Sequence, residues 1–201
     1  MADVTGIVLT GGRSSRMGTD KASLVLGGST LIQRAVAALE AVADEIVMVR
    51  APGQSLPLVR TAGSLTVLAD PVEGAGPLEG IATGLTAASA PVAVIVGVDH
   101  PFLRPELLRL LVQRVHAGAK WALPEADGYP QPLCSAIARD ALVDLQASLA
   151  AGDRSPISVS HALGAERIRD AVWRAVDPEG LSFFDVDTPE DFEAAQRRLG
   201  R

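Results

Sequence analysis

Residues 92–98, Val-Ala-Val-Ile-Val-Gly-Val, form an apolar run of strand length with no polar position in it. A strand with one face in water alternates apolar and polar side chains. One that does not alternate is expected to be buried on both faces, as the central strand of a parallel sheet covered by helices is. The rest of the chain agrees. Apolar, β-branched runs at 6–9, 45–49 and 66–69 alternate with Ala- and Leu-rich stretches at helical spacing over 30–42 and 78–89. Pro105 opens a further helix reaching about His116. The pattern predicts an α/β protein with a mainly parallel sheet.

The second half is less regular. Strands are expected over 121–124, 132–138 and 182–186, helices over 140–150 and 156–163, and a last helix from Pro189. Thr30 with Gln33, and Thr188 with Asp191, have the spacing of capping boxes. Residues 51–64, with Pro52, Gly53, Pro57 and Gly63, read as a loop. No repeat or linker interrupts the 201 residues, so one domain over 1–201 is expected. Apolar residues make up 48% and aromatics only 3%, which leaves Ala, Val, Leu and Ile to fill the core. A lone Cys134 excludes an internal disulfide and a Cys-rich metal site. The opening Met-Ala-Asp-Val lacks the regions of a signal peptide, and no run of eighteen apolar residues occurs. A cytoplasmic protein is therefore expected, away from membranes. The net charge of −6 argues against nucleic acid as a partner.

Against that negative balance, the loop after the first strand is basic. It carries Gly11, Gly12 and Gly18 together with Arg13, Arg16 and Lys21. Glycines allow close backbone approach, and exposed N–H groups with concentrated cations make a phosphate cradle. Neither the G-x-x-x-x-G-K-[ST] loop nor the G-x-G-x-x-G fingerprint is present. The loop reads as a nucleoside triphosphate site of another kind.

Asp99 follows the 92–98 strand directly. A carboxylate at the carboxyl end of a central parallel strand stands at the crevice where such sheets bind ligands, and suits Mg²⁺; a turn-forming Asp before an X-Pro step is the plainer alternative. Asp70 closes the strand over 66–69, with ligand contact and turn duty equally open. It precedes Gly74, Gly76 and Pro77, where a helix N-terminus would present free N–H groups. Asp185 and Asp187 share one face of an extended segment; Asp187 either assists the metal or merely precedes the helix cap. His100, His116 and His161 have no motif spacing and read as structural or solvated. No nucleophile–base arrangement occurs. A phosphate monoester would need none, since it is mostly ionised near neutral pH, and positioning with charge neutralisation can then supply the catalysis.

These residues carry a resemblance. Leu9-Thr10-Gly11-Gly12-Arg13-Ser14-Ser15-Arg16-Met17-Gly18-Thr19-Asp20-Lys21 resembles the L-[AT]-G-G-x-S-x-R-M-G-x-D-K signature of molybdenum cofactor guanylyltransferases. Gly76-Pro77-Leu78-Glu79-Gly80, Asp99-His100-Pro101-Phe102-Leu103 and Asp187-Thr188-Pro189-Glu190-Asp191 are similar to later segments of that family, in the same order. The resemblance implies a single-domain, Rossmann-like, three-layer nucleotidyltransferase fold. It implies transfer of GMP from Mg²⁺-bound GTP to the terminal phosphate of molybdopterin, with pyrophosphate released. The N-terminal half would hold the nucleotide and the C-terminal half the acceptor. Leu9, Thr10, Gly11 and Gly12 would line the nucleoside, with Asp70, Gly76, Pro77 and Leu78 also on the nucleotide. Arg16 and Lys21 would hold phosphates and, with Asp99, carry the catalysis, Asp99 binding the metal. Gln131, Pro132 and Arg154 would face the acceptor. Molybdenum-insertion proteins or molybdoenzyme chaperones would be the protein partners.

Two departures keep a cytidylyl- or sugar-nucleotide transferase of the same superfamily as the alternative. Asp185-Val186-Asp187 replaces the N-x-N of many members, and Val47-Met48-Val49-Arg50 shows no asparagine. Leu9-Thr10-Gly11-Gly12, in place of the L-A-A-G of cytidylyl-transferring relatives, leaves room for a purine and favours GTP.

Overall fold

The computed structural model of the chain describes residues 3–11, 20–72 and 74–200. Gly12, Arg13, Arg16 and Gly18 lie outside the described residues. Seven strands follow one another across the main sheet in the order β10-β7-β9-β6-β1-β4-β5. They are β1 (Val4–Leu9), β4 (Glu45–Arg50), β5 (Ser64–Ala69), β6 (Val92–Gly97), β7 (Trp121–Ala126), β9 (Cys134–Ala138) and β10 (Glu166–Ile168). An eighth, β8 (Tyr129–Pro130), pairs with β7, and β2 (Val25–Leu26) pairs with β3 (Ser29–Thr30) in a separate hairpin. β5, β4, β1 and β6 are mutually parallel. β9 runs antiparallel to both β6 and β7, and β10 is parallel to β7.

The apolar run behaves as its composition requires. Every residue of β6 is buried. Val92, Val94 and Val96 enter one core layer and Ala93 and Ile95 the other, because successive strand side chains point to opposite faces. The first layer is closed by α1 (Leu31–Glu40), α3 (Pro105–His116) and α7 (Pro189–Leu199), and α6 (Asp170–Trp173) adds Trp173. The second is closed by α2 (Pro77–Ala87), α4 (Leu142–Ala150) and α5 (Pro156–Ala162). The result is helices on both faces of a mainly parallel sheet. No helix among the described residues is long and apolar enough to cross a membrane.

Several expectations are corrected. Residues 182–186 form no strand: a 3-10 turn over Leu181–Phe183 stands there instead. The buried Asp177 carboxylate accepts the Leu181 and Ser182 N–H groups at 3.0 and 2.8 Å, so these donors are satisfied inside a turn and not along a ladder. β10, three residues long, and the β8 pairing were not anticipated. The Thr188–Asp191 capping box forms completely. At Thr30 only half forms. The hydroxyl accepts the Gln33 N–H, but the Gln33 side chain instead pairs in both directions with the Arg60 backbone, at 2.9 and 2.8 Å.

The close approach of α2 to β1 rests on a glycine. A Cβ on Gly84 would lie 2.6 Å from Ile7 Cγ2, in a fully buried environment. Gly84→Val should therefore destabilise by about 1–3 kcal/mol through overpacking. A lowering of the melting temperature by several degrees in a thermal melt is the expected reading. An unchanged melt would mean that the layers slide apart freely.

Candidate active site

In the order of the four parallel strands, β5-β4-β1-β6, the chain turns back at β1, and a crevice opens at the carboxyl ends of β1 and β6. Leu9, Thr10 and Gly11 leave β1 on one side of it; Gly97, Val98 and Asp99 leave β6 on the other. The Val98 N–H donates to the Leu9 carbonyl at 3.1 Å, continuing the parallel pairing to its edge. Because β9 is antiparallel, its entry is at the same edge, and Leu133 closes the crevice from that side. Parallel strands thus gather residues distant in sequence at one rim.

Two adjoining chambers result. The smaller, about 240 Å³, is lined by Leu9, Thr10, Gly11, Lys21, Asp99 and Asp187 among others. The larger, about 570 Å³, is lined by Val49, Ala51, Pro52, Asp70, Gly74, Gly76 and Gly80, and shares Leu9, Gly11, Pro77, Asp99 and Leu133 with the first. A volume of that size suits a nucleoside.

Charge is concentrated in the smaller chamber. Lys21 Nζ donates to Asp187 Oδ1 and stands 3.6 Å from Asp99 Oδ2. Asp187 and Asp99 therefore converge on one cation. Beside them, His100 Nδ1 lies 3.0 Å from both the Ser182 carbonyl and Asp185 Oδ1, and Nε2 is 3.8 Å from Asp99 Oδ1. Burial holds the Asp185 carboxyl above the usual carboxylate range; His100 counteracts this, while Asp99 and Asp187 add to it. Gly97 leaves room for the carboxylate, since a Cβ there would fall 2.4 Å from Asp99 Oδ1 and displace that side chain.

The larger chamber holds an orphan. Asp70 Oδ1 is buried without a hydrogen-bond partner. Burial raises the Asp70 carboxyl, the nearby Glu79 adds to the rise, and the Thr83 hydroxyl opposes it. An unpaired buried acceptor of this kind favours a ligand that brings a donor. Beside it, α2 is preceded by Gly76 at the N-cap, whose φ of +92° suits glycine, with Pro77 at the first helical position and no side-chain cap. The first-turn N–H groups are left for a ligand.

Of the residues expected from sequence, Leu9, Thr10, Gly11, Lys21, Asp70, Gly76, Pro77, Asp99 and Asp187 are brought together around these chambers. Gly12 and Arg16 lie outside the described residues. Leu78 departs from expectation: its side chain is fully buried in the core beneath α2, so only its backbone is left for a ligand. Gln131, Pro132 and Arg154 line neither chamber. The Gln131 side chain donates to the Tyr129 carbonyl, and Arg154 pairs with Glu79 at 3.8 Å beside the start of α2. Gly11 owes its lack of a side chain to protein contact, since a Cβ would lie 3.0 Å from the Ala51 nitrogen. Ala51 and Pro52 were missed because they belong to a segment read as a connecting loop; the Pro-Gly turn at 52–53 was its one signal.

A crevice at the turning point of a parallel sheet, with a cation and carboxylates in one chamber and room for a nucleoside in the next, defines a nucleotide-using α/β transferase. Residues 6–167 match the family model of the MobA-like NTP transferase domain. A protein of Mycobacterium avium named probable molybdenum cofactor guanylyltransferase is 37% identical over 208 residues, covering 98% of this chain and 100% of that one. A protein of the same name from Chloroflexus aggregans is 32% identical, covering 98% and 95%. The crystal structure of molybdopterin-guanine dinucleotide biosynthesis protein A from Archaeoglobus fulgidus superimposes with a TM-score of 0.78 at 25% identity, covering 98% of each chain. The chain belongs to the MobA-like NTP transferase family, and it is a nucleotidyltransferase.

Proposed function

We propose that this enzyme transfers GMP from GTP to the terminal phosphate of molybdopterin, forming the guanine dinucleotide cofactor and pyrophosphate. The observation that carries this reading is the junction of the two chambers, where Lys21 and Asp99 stand beside a nucleoside-sized space. The names of its relatives support the choice of substrates.

A divalent cation fits the smaller chamber. Asp99 and Asp187 already converge on the Lys21 ammonium, and their oxygens are the hard donors that Mg²⁺ prefers. Among the described residues no three His, Cys, Asp or Glu side chains form a metal cage, so such a cation would share its shell with substrate phosphates and water. Asp99 and Asp187 would hold it, and when bound it would neutralise charge on the phosphates.

The chain's own residues do the rest. Leu9, Thr10, Gly11, Gly76 and Pro77 bind the nucleoside side of GTP, with Asp70 accepting a donor from it; Gly12 belongs to the same set by its place in the signature. Lys21 and Arg16 hold phosphates and stabilise the charge that develops on the α-phosphoryl group. Gln131, Pro132 and Arg154 receive the acceptor. An oxygen of the molybdopterin phosphate forms a bond to the α-phosphorus as the bond to the bridging oxygen breaks, and pyrophosphate leaves with that electron pair. The attacking phosphate is already largely ionised, and no general base is needed.

Thermal shift tests the base preference. GTP with Mg²⁺ at 100 times its dissociation constant should stabilise the fold by about 2.7 kcal/mol, while CTP at the same concentration should not. Label carried from α-labelled GTP to molybdopterin is the expected companion result. A shift and label transfer with CTP alone would make this a cytidylyltransferase.

A further inference from the structure

The segment after β4 contains one side chain, that of Gln54, that reaches both ends of the phosphate loop. Gln54 Oε1 accepts the Ala51 N–H at 2.9 Å and lies 3.2 Å from the Thr10 hydroxyl. That hydroxyl has one proton to divide between Gln54 and the Val49 carbonyl, 3.1 Å away. Gln54 Nε2 donates to the Thr10 carbonyl at 3.1 Å and to Asp20 Oδ2 at 2.9 Å. The orientation of the amide follows from these partners: a backbone N–H can only donate, and a carbonyl and a carboxylate here can only accept. The main-chain carbonyl of Gln54 accepts in turn from the Arg50 guanidinium at 2.9 Å.

Asp20 is the other half of the connection. Its second oxygen, Oδ1, accepts the Ala22 N–H at 3.0 Å and so caps the 3-10 turn Lys21–Ser23. Lys21 is the first residue of that turn, and its ammonium is the cation between Asp99 and Asp187. One amide thus joins the end of β1 to the cap of the turn that aims Lys21, although Gln54 lies 44 residues from Thr10 and 34 from Asp20.

We propose that Gln54 is the positioning residue for Lys21: by tying Asp20 to Thr10 it sets where the phosphate-holding ammonium stands before substrate arrives. It lines neither chamber, so its effect on substrate passes through Lys21. The inference rests on the reading of Lys21 as a phosphate ligand. It does not depend on which base the enzyme takes. Presetting a charged group removes the ordering cost that a mobile lysine would meet on binding.

A four-member cycle tests it. Gln54→Glu keeps the shape of the side chain and the acceptor for the Ala51 N–H, but sets oxygen against oxygen at Thr10 and Asp20. Gln54→Met removes the same donors without adding charge, and serves if the first variant folds poorly. Each is measured alone and combined with Lys21→Met, with inorganic tripolyphosphate plus Mg²⁺, GTP and CTP as titrants. With Lys21 present, either Gln54 variant should weaken tripolyphosphate and GTP binding about tenfold; with Met at 21 the change should be under about twofold. Equal losses in both backgrounds would make Gln54 a residue of the fold alone, and unchanged binding would remove its role entirely. CTP bound in preference to GTP, with the coupling intact, would overturn the proposed substrate and leave the role of Gln54 standing. Wild-type protein that binds none of the three would overturn both.

Discussion

Asp99→Asn is expected to lower guanylyl transfer by about 10³-fold while moving the melting temperature by no more than about 3 °C. The size of the loss follows from where the carboxylate stands. It leaves β6 at the crevice, 3.6 Å from the Lys21 ammonium, and is one of the two carboxylates proposed to hold a divalent cation. Asparagine keeps the outline of the side chain but neither its charge nor its affinity for a hard cation. The small effect on stability follows from exposure. The Asp99 side chain is 27% exposed and its ion pair with Lys21 is not deeply buried, so the pair adds little to folding. Its charge also pushes up the nearby Asp185 carboxyl, a repulsion the substitution would relieve. Transfer rates and thermal melts on the same preparation decide it. Transfer at the wild-type rate would take Asp99 out of the chemistry, and a collapse of the melting temperature would make it a structural residue.

Lys21→Met should cost about 10²–10³-fold in kcat/KM for transfer, again with the fold kept. The turn it belongs to is capped by the Asp20 side chain, which the substitution leaves in place. The methionine retains most of the apolar stem, and two carboxylates lose their shared cation in a chamber that remains open to solvent. If Lys21 stabilises the α-phosphoryl group as charge develops, kcat falls. If it only anchors the ground state, KM rises and kcat holds. The expected result is a fall in kcat with a smaller rise in KM. Unchanged kcat/KM would refute the assignment.

Much of this arrangement was legible in the chain before any coordinates. The unbroken run at 92–98 announced a doubly buried strand, and the strand ends carried the residues that line the crevice. Leu9, Thr10, Gly11, Asp70 and Asp99 all stand where a parallel sheet puts its carboxyl ends. Thr188, Pro189 and Asp191 announced a helix start that forms as written, because every partner in a capping box lies within four residues. Where the reading failed, the decisive partner was remote. Gln33 has the spacing to complete its own cap, yet it bonds to Arg60, 27 residues on. Ser182 opens the segment Ser-Phe-Phe-Asp-Val, whose aromatic and β-branched residues suit a strand, but the buried Asp177 bends it into a turn. β10 escaped notice because Glu166 and Arg167 make a three-residue edge strand look like surface.

The sequence by itself determined the layers and the residues that would stand at the rim of the sheet, since burial on one or two faces is written in the local alternation of apolar side chains. Only the tertiary structure decided the direction of β9, the convergence of Asp187 on Lys21 across 166 residues, and the tie from Gln54 to both ends of the phosphate loop. These are pairings of hydrogen bonds and charges between segments that share no period. Such pairings come into being only when the packed core brings the segments together.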